Sequence, residues 1–314
     1  MLEHRLAKLA AGAAFLLLII GGTVNPTGSS LACPEPTLVC HGQVFPEMTG
    51  GVFYEHGHRL AAMTVGLLQI ALTITLLLRR KQLKRLAWIT MGMVVAQGAL
   101  GAVTVWLKLS PAVSSGHLIL GMSYMATLIY VAFRTAPGQV DGARRQRAAR
   151  ATDARPWILM AAGAILIQLL LGGLVRHLGA TLSCLGMPAC TVDGTWWAET
   201  GLQKLQMIHR GWGLMVAIIT SIAAVKVWRA AHGWTTLRRM AGLAPVLVLA
   251  QVVLGIYVVL TMRSVPVAVG HFAGAAGLWA LWMSMWFVTS PRALASEVAD
   301  VPLTSGLVHV EVGS

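Results

Sequence analysis

Four histidines, His58, His117, His209 and His271, lie inside long apolar stretches of the 314-residue sequence. A single imidazole at such a place reads as a hydrogen-bonded contact between helices. Ionisable groups at membrane depth are costly, however, and concentrate at functional sites. These four form two pairs at equivalent depth, one in each half of the chain. In an up-down-up-down bundle each pair would stand on diagonal helices and face across the core. Two imidazoles in that arrangement suit the two axial positions of one flat haem. Zinc or copper asks for three or four donors close together, and no His-x-x-x-His or Cys/His cluster supplies them. Gly57, Gly116, Gly121, Gly211, Gly213, Gly270 and Gly274 flank these positions. They serve close helix packing or let a porphyrin lie on the backbone. Arg59 and Arg210 each follow a histidine directly and read either as partners of haem propionates or as arginines snorkelling to the interface. The other six histidines receive no role, His56 being noted for its closeness to the first site.

Glu55 precedes His58 by three residues, so the two share a helix face. The matching residue in the second half is Gln206. A carboxylate beside a haem edge can act as a general base or stabilise a cation, and an amide does neither well. The two sites are therefore expected to do different jobs: chemistry in the first half, storage or relay of electrons in the second. The alternative for Glu55 is a wet residue at the helix mouth. Four cysteines, Cys33, Cys40, Cys184 and Cys190, fall in two loops on one side of the spans. Local pairing, Cys33 with Cys40 and Cys184 with Cys190, respects the internal repeat. Each pair reads as a structural staple or as thiols that exchange electrons.

These residues need elements to hold them. The sequence is 56% hydrophobic and 11% charged, which excludes a soluble domain and a disordered chain. Eight stretches are long enough to cross a bilayer, at about 8–24, 55–78, 86–107, 112–134, 157–176, 203–228, 238–261 and 266–289. The first also has the basic start of a signal peptide but is kept as a helix because the repeat gives it a counterpart. Eighteen of the 24 lysines and arginines fall in alternate loops or at the ends. The net charge of +13 is thus read as the positive-inside bias, with no nucleic-acid surface. Both termini are expected in the cytoplasm and the cysteine loops on the outer face.

The chain reads as two copies of one plan. Gly21-Gly22, Cys33 and His58-Arg59 recur 151 residues later as Gly172-Gly173, Cys184 and His209-Arg210. Gln97, Gly101 and Gly116-His117 recur 154 residues later as Gln251, Gly255 and Gly270-His271. The three-residue change is expected in the turn between the second and third helices of each half. The expected architecture is an all-α integral membrane protein of two pseudo-repeated four-helix bundles, residues 1–134 and 157–290. A cytoplasmic linker at 135–156 joins them and a tail at 291–314 follows.

Taken together, Glu55-x-x-His58-Arg59, the paired loop cysteines, Gly-His at 116–117 and 270–271, and His209-Arg210 resemble the haem A synthase family over roughly residues 8–289. The resemblance implies oxidation of the C8 methyl of haem O to a formyl group, through an alcohol and a hydrated aldehyde. It implies a haem b cofactor on His209 and His271, substrate haem O on His58 and His117, and Glu55 as the essential carboxylate. It links Cys33 and Cys40 to activity and makes Cys184 and Cys190 a disulfide. It also implies a cell membrane of prokaryotic type and a homo-oligomer. A haem O synthase is the expected delivering partner, docking on loop 25–54, and lipid surrounds the spans. The electron donor and acceptor carry no signature in the sequence. The rival reading is a di-haem b cytochrome that only moves electrons, which leaves the Glu55/Gln206 difference unexplained. A haem carrier and a structural scaffold are weaker rivals.

Overall fold

Prolines and one capping box set where half of the helices begin. Pro111, Pro156 and Pro266 stand in the first turn of their helices, where a missing N–H costs nothing. At Thr200 the side chain accepts from the Gln203 N–H while the Gln203 side chain accepts from the Thr200 N–H, satisfying two otherwise free donors. The computed structural model describes residues 1–137 and 151–290. The part of the expected linker at 138–150 and the expected tail at 291–314 lie outside the described residues.

Eight long helices make up the fold: α1 (Leu2–Val24), α2 (Gly50–Arg79), α3 (Lys84–Trp106), α4 (Pro111–Arg134), α5 (Arg155–His177), α6 (Gly201–Ala230), α7 (Thr235–Leu260) and α8 (Val265–Val288). All eight are long and apolar enough to cross a membrane, and no named strand occurs among the described residues. The helices overrun the expected spans where polar residues continue a helix beyond its apolar stretch. Thus α1 begins at Leu2 rather than residue 8, and α2 at Gly50 rather than 55. One expectation is corrected. The turns at 80–83 and 231–234 are equally long, and α7 has 26 residues against 23 in α3. The three extra residues lie within a helix, which absorbs them at 1.5 Å of rise each.

Among α1–α4, each helix packs on its sequence neighbour and α1 closes on α4, so that α2 and α4 take opposite corners. Helices α5–α8 pack in the same order, with α5 against α8. Small residues allow the close approach: Ala7, Ala10 and Ala14 line the buried stripe of α1. A buried polar network ties α2, α3 and α4. Gln69 donates to the hydroxyls of Thr73 and Thr90, each at 2.9 Å, and Tyr124 donates to the Gln69 carbonyl oxygen at 2.8 Å. Across the two groups, α4 packs on α5 and α8, and α1 on α8. The Trp279 indole donates to the Met122 carbonyl at 3.0 Å. At the opposite edge from the loops, Glu3 of α1 pairs with Arg80 at 2.8 Å.

The tight turns before α4 and α8 are alike. Lys108 and Leu109 have φ of 47° and 66°, and Met262 and Arg263 have φ of 50° and 63°. Left-handed backbone costs a non-glycine residue about 1–2 kcal/mol. The N–H of Leu109 reaches the Thr104 carbonyl and that of Arg263 the Val258 carbonyl, both at 2.7 Å.

Candidate haem-binding sites

His58 is the ninth residue of α2, and His209 the ninth of α6. His117 and His271 are each the seventh residue of α4 and α8. Because α2 and α4 sit at opposite corners, the first pair meets across a core. His58 and His117 lie within electrostatic range of one another, as do His209 and His271.

Each imidazole rests on a glycine of a neighbouring helix. A Cβ on Gly21 would stand 2.7 Å from His58 Cε1. A Cβ on Gly101, Gly172 or Gly255 would stand 3.2 Å from Cε1 of His117, His209 or His271 respectively. Any larger residue would push the ring away, so these four glycines fix how deep each imidazole sits. The Nδ1 atom of all four rings is buried without a hydrogen-bond partner, although the rings themselves are only half-buried. Amides stand beside two of the rings. Gln97 donates to the His117 carbonyl at 2.9 Å and Gln168 to the His209 carbonyl at 3.1 Å. Their amide nitrogens come within 3.4 and 3.5 Å of the respective imidazole Nε2 atoms.

This donor set fits a haem. Among the described residues it offers two imidazole nitrogen donors per site, with no carboxylate or thiolate grouped with them, and glycine backbone where a flat macrocycle needs room. Among the described residues the one cluster with the donors of a compact metal site is Cys33, Cys40 and His56. Its two sulfurs are joined to each other, which removes them as thiolate ligands.

At the loop ends the two halves are held alike. Cys33 is bonded to Cys40 and Cys184 to Cys190, in the local pairing expected from the sequence. The Cys33 N–H donates to Glu55 Oε2 at 2.9 Å, and the Cys184 N–H to Gln206 Oε1 at 2.6 Å. Arg59 donates to the carbonyls of Cys33, Thr37 and Val39. Arg210 donates to those of Cys184, Gly186 and Ala189. Both guanidiniums therefore clamp the disulfide loops; the sequence had left them between propionate partners and interfacial arginines.

The difference between Glu55 and Gln206 has a concrete consequence. The second oxygen of Glu55 accepts from Arg59 at 2.6 Å. The amide nitrogen of Gln206 instead donates to the Thr181 carbonyl at 2.7 Å. Both side chains are buried. The first half thus places an Arg59-paired carboxylate beneath its disulfide, and the second an amide of similar shape. His56 fills the space beside the first disulfide, with Nε2 at 3.0 Å from the Val44 carbonyl. In the exposed part of that loop, desolvation raises the Glu35 carboxyl, but backbone N–H groups including those of Gly42 and His41, and the His41 charge, outweigh it and hold Glu35 below the ordinary carboxylate range.

Six residues had no role in the sequence reading and acquire one here. The seats Gly21, Gly101, Gly172 and Gly255 were visible as repeated glycines, but their contacts were not. Gln97 was visible as half of a repeated pair. Gln168 carried no signal, because Leu17 stands at the matching place.

Fold and site together define an integral membrane protein with paired imidazoles in its core. The sequence matches the model of the COX15-CtaA family, described as cytochrome oxidase assembly protein, over residues 4–283. The chain belongs to that family. It is similar to the haem A synthase of Symbiobacterium thermophilum, with 29% identity over 303 residues covering 91% of this chain and 95% of that protein. The haem A synthase of Shouchella clausii is 29% identical over 270 residues, 83% of this chain and 87% of that one. That of Shewanella oneidensis is 24% identical over 302 residues, 83% of this chain and 88% of that one.

Proposed function

We propose that this protein is a haem A synthase, a membrane oxidoreductase that converts the C8 methyl of haem O to a formyl group. Family membership and near full-length similarity to haem A synthases support the reaction. The observation that carries the division of labour is the pair of glycine-seated imidazole sites whose loop-end neighbour is Glu55 in one half and Gln206 in the other.

In this reading the chain is two pseudo-repeated four-helix bundles. His58 and His117 hold the substrate haem O in the first, and His209 and His271 hold a resident haem b in the second. When bound, the resident haem supplies an iron centre that can gain and lose one electron. Gly21 and Gly101 set the depth of the substrate, and Gly172 and Gly255 that of the cofactor. Arg59 and the Cys33 N–H hold the Glu55 carboxylate in place, so that it can take a proton from water or steady positive charge at the reacting carbon. The Cys33–Cys40 disulfide closes the loop over this carboxylate. Both termini lie in the cytoplasm and the cysteine loops outside. A haem O synthase delivers the substrate at the 25–54 loop.

Haem extraction and chromatography from cells that make haem O, with and without this protein, tests the reaction. Haem A, or its hydroxylated precursor, is expected only when the protein is present. Two reducible haems b per chain and no haem A would make it an electron-transfer cytochrome.

A further inference from the structure

Arg59 and Arg210 are engaged by loop carbonyls; Arg176 and Arg263 are two further arginines at the cysteine end, and among the described residues neither has an anionic partner. Arg176 lies on α5 one helical turn beyond Gly172, the seat of His209, and therefore on the same face. Its Nη2 donates to the Gly22 carbonyl of α1 at 3.0 Å. Its Nε is buried with no partner. Its guanidinium stands 5.5 Å from the ring centre of Phe272, the residue after His271. Arg263 occupies the strained turn that leads into α8, eight residues before His271. Because α5 packs on α8, the end of α5 that carries Arg176 and the turn that carries Arg263 lie at the same end of two adjacent helices.

Two like charges at the edge of a low-dielectric core are unfavourable unless an anion joins them. The first half lacks both. By the 151- and 154-residue offsets, Asn25 stands where Arg176 does and Leu109 where Arg263 does.

We propose that Arg176 and Arg263 are the receiving site for the propionate carboxylates of the haem held by His209 and His271. The proposal rests on the reading of that pair as haem ligands and deepens it. A fixed charge clamp retains a resident cofactor, while its absence above His58 and His117 leaves the first site free to exchange substrate for product. The specificity is for a dicarboxylate edge presented at the cysteine end of the second bundle, with guanidiniums offering paired N–H donors.

Full-length protein made without haem is titrated with protohaem and with protohaem dimethyl ester, whose carboxylates are uncharged and capped. The readout is the low-spin spectrum of bis-imidazole ligation. Wild type is expected to prefer the diacid by roughly tenfold or more, as for a charge-assisted pair of hydrogen bonds. Arg176→Gln with Arg263→Gln is expected to bind the diacid more weakly and the ester as before, so that the preference falls to about one. The Arg→Lys pair is expected to keep part of it. The proposal is overturned if the preference survives in the double Gln variant, or if both ligands weaken equally, which is the behaviour of a merely structural strap between α5 and α1. If wild type gives no low-spin spectrum, or His209→Ala leaves it unchanged, the ligand assignment itself has failed. A diminished low-spin spectrum in His209→Ala with a persisting preference in the double Gln variant overturns the clamp alone.

Discussion

Glu55 and Gln206 show how one change of charge can separate two otherwise equivalent places. Each accepts the N–H of a disulfide cysteine, so Glu55→Gln retains an acceptor for Cys33 and loses only the Arg59 pair. Fold and haem at the second site are expected to survive, and haem A output is expected to fall by about 10²-fold or more, as for removal of a positioned base. Pigment chromatography of the purified variant checks this, and normal output would remove Glu55 from the chemistry. The glycine seats give a steric prediction. Gly172→Val places atoms against His209 Cε1, which already lies 3.2 Å from a Cβ position, whereas Gly163 on the same helix has nothing within 4 Å. Haem retention on purification is expected to fall severalfold or more for Gly172→Val and to stay unchanged for Gly163→Val. Glu35 adds a pH effect. Its carboxyl is held low in the folded loop, so its stabilisation is present above the ordinary glutamate range and is lost as pH falls through the lower folded value. Protease resistance of the first loop is expected to decline in acid for wild type and to lose that dependence in Glu35→Gln.

At the scale of elements, α2, α3 and α4 are joined by hydrogen bonds rather than by apolar contact alone. Tyr124→Phe removes the donor to Gln69. A cost of about 0.5–1 kcal/mol is expected, in line with side-chain hydrogen bonds inside membrane proteins, read as a lower melting temperature in detergent. Gln69→Leu strips the partner from Tyr124 and the shared donor from Thr73 and Thr90 together, so its cost is expected to exceed that of Tyr124→Phe. The helices themselves were legible from apolar length, since each of the eight expected spans overlaps one helix. Their ends were less legible. A hydropathy reading marks where lipid would stop, while Glu3 stays helical beyond that point because Arg80 satisfies it. The three additional residues, expected in the turn between the second and third helices, are absorbed by α7 instead.

The whole molecule explains what the sequence could and could not reveal about the site. Histidines and cysteines were legible because their chemistry is rare at membrane depth and in a spacing that repeats. The arginine clamps were not, since their acceptors are loop carbonyls of any residue type. Nor were the glycine seats, whose meaning arises only where two helices cross. The proposed orientation is testable at this scale. Alkaline phosphatase inserted between Phe45 and Pro46 is expected to be active, and the same reporter after Ser314 inactive; the opposite result would invert the molecule. The central claim is that the two imidazole pairs hold different haems. Reversed-phase analysis of the haem in purified His58→Ala and His209→Ala, each made in cells that supply haem O, tests it most directly. His58→Ala is expected to keep haem b and yield no haem A, and His209→Ala to lose haem b. Haem b lost from His58→Ala and retained in His209→Ala would contradict the account.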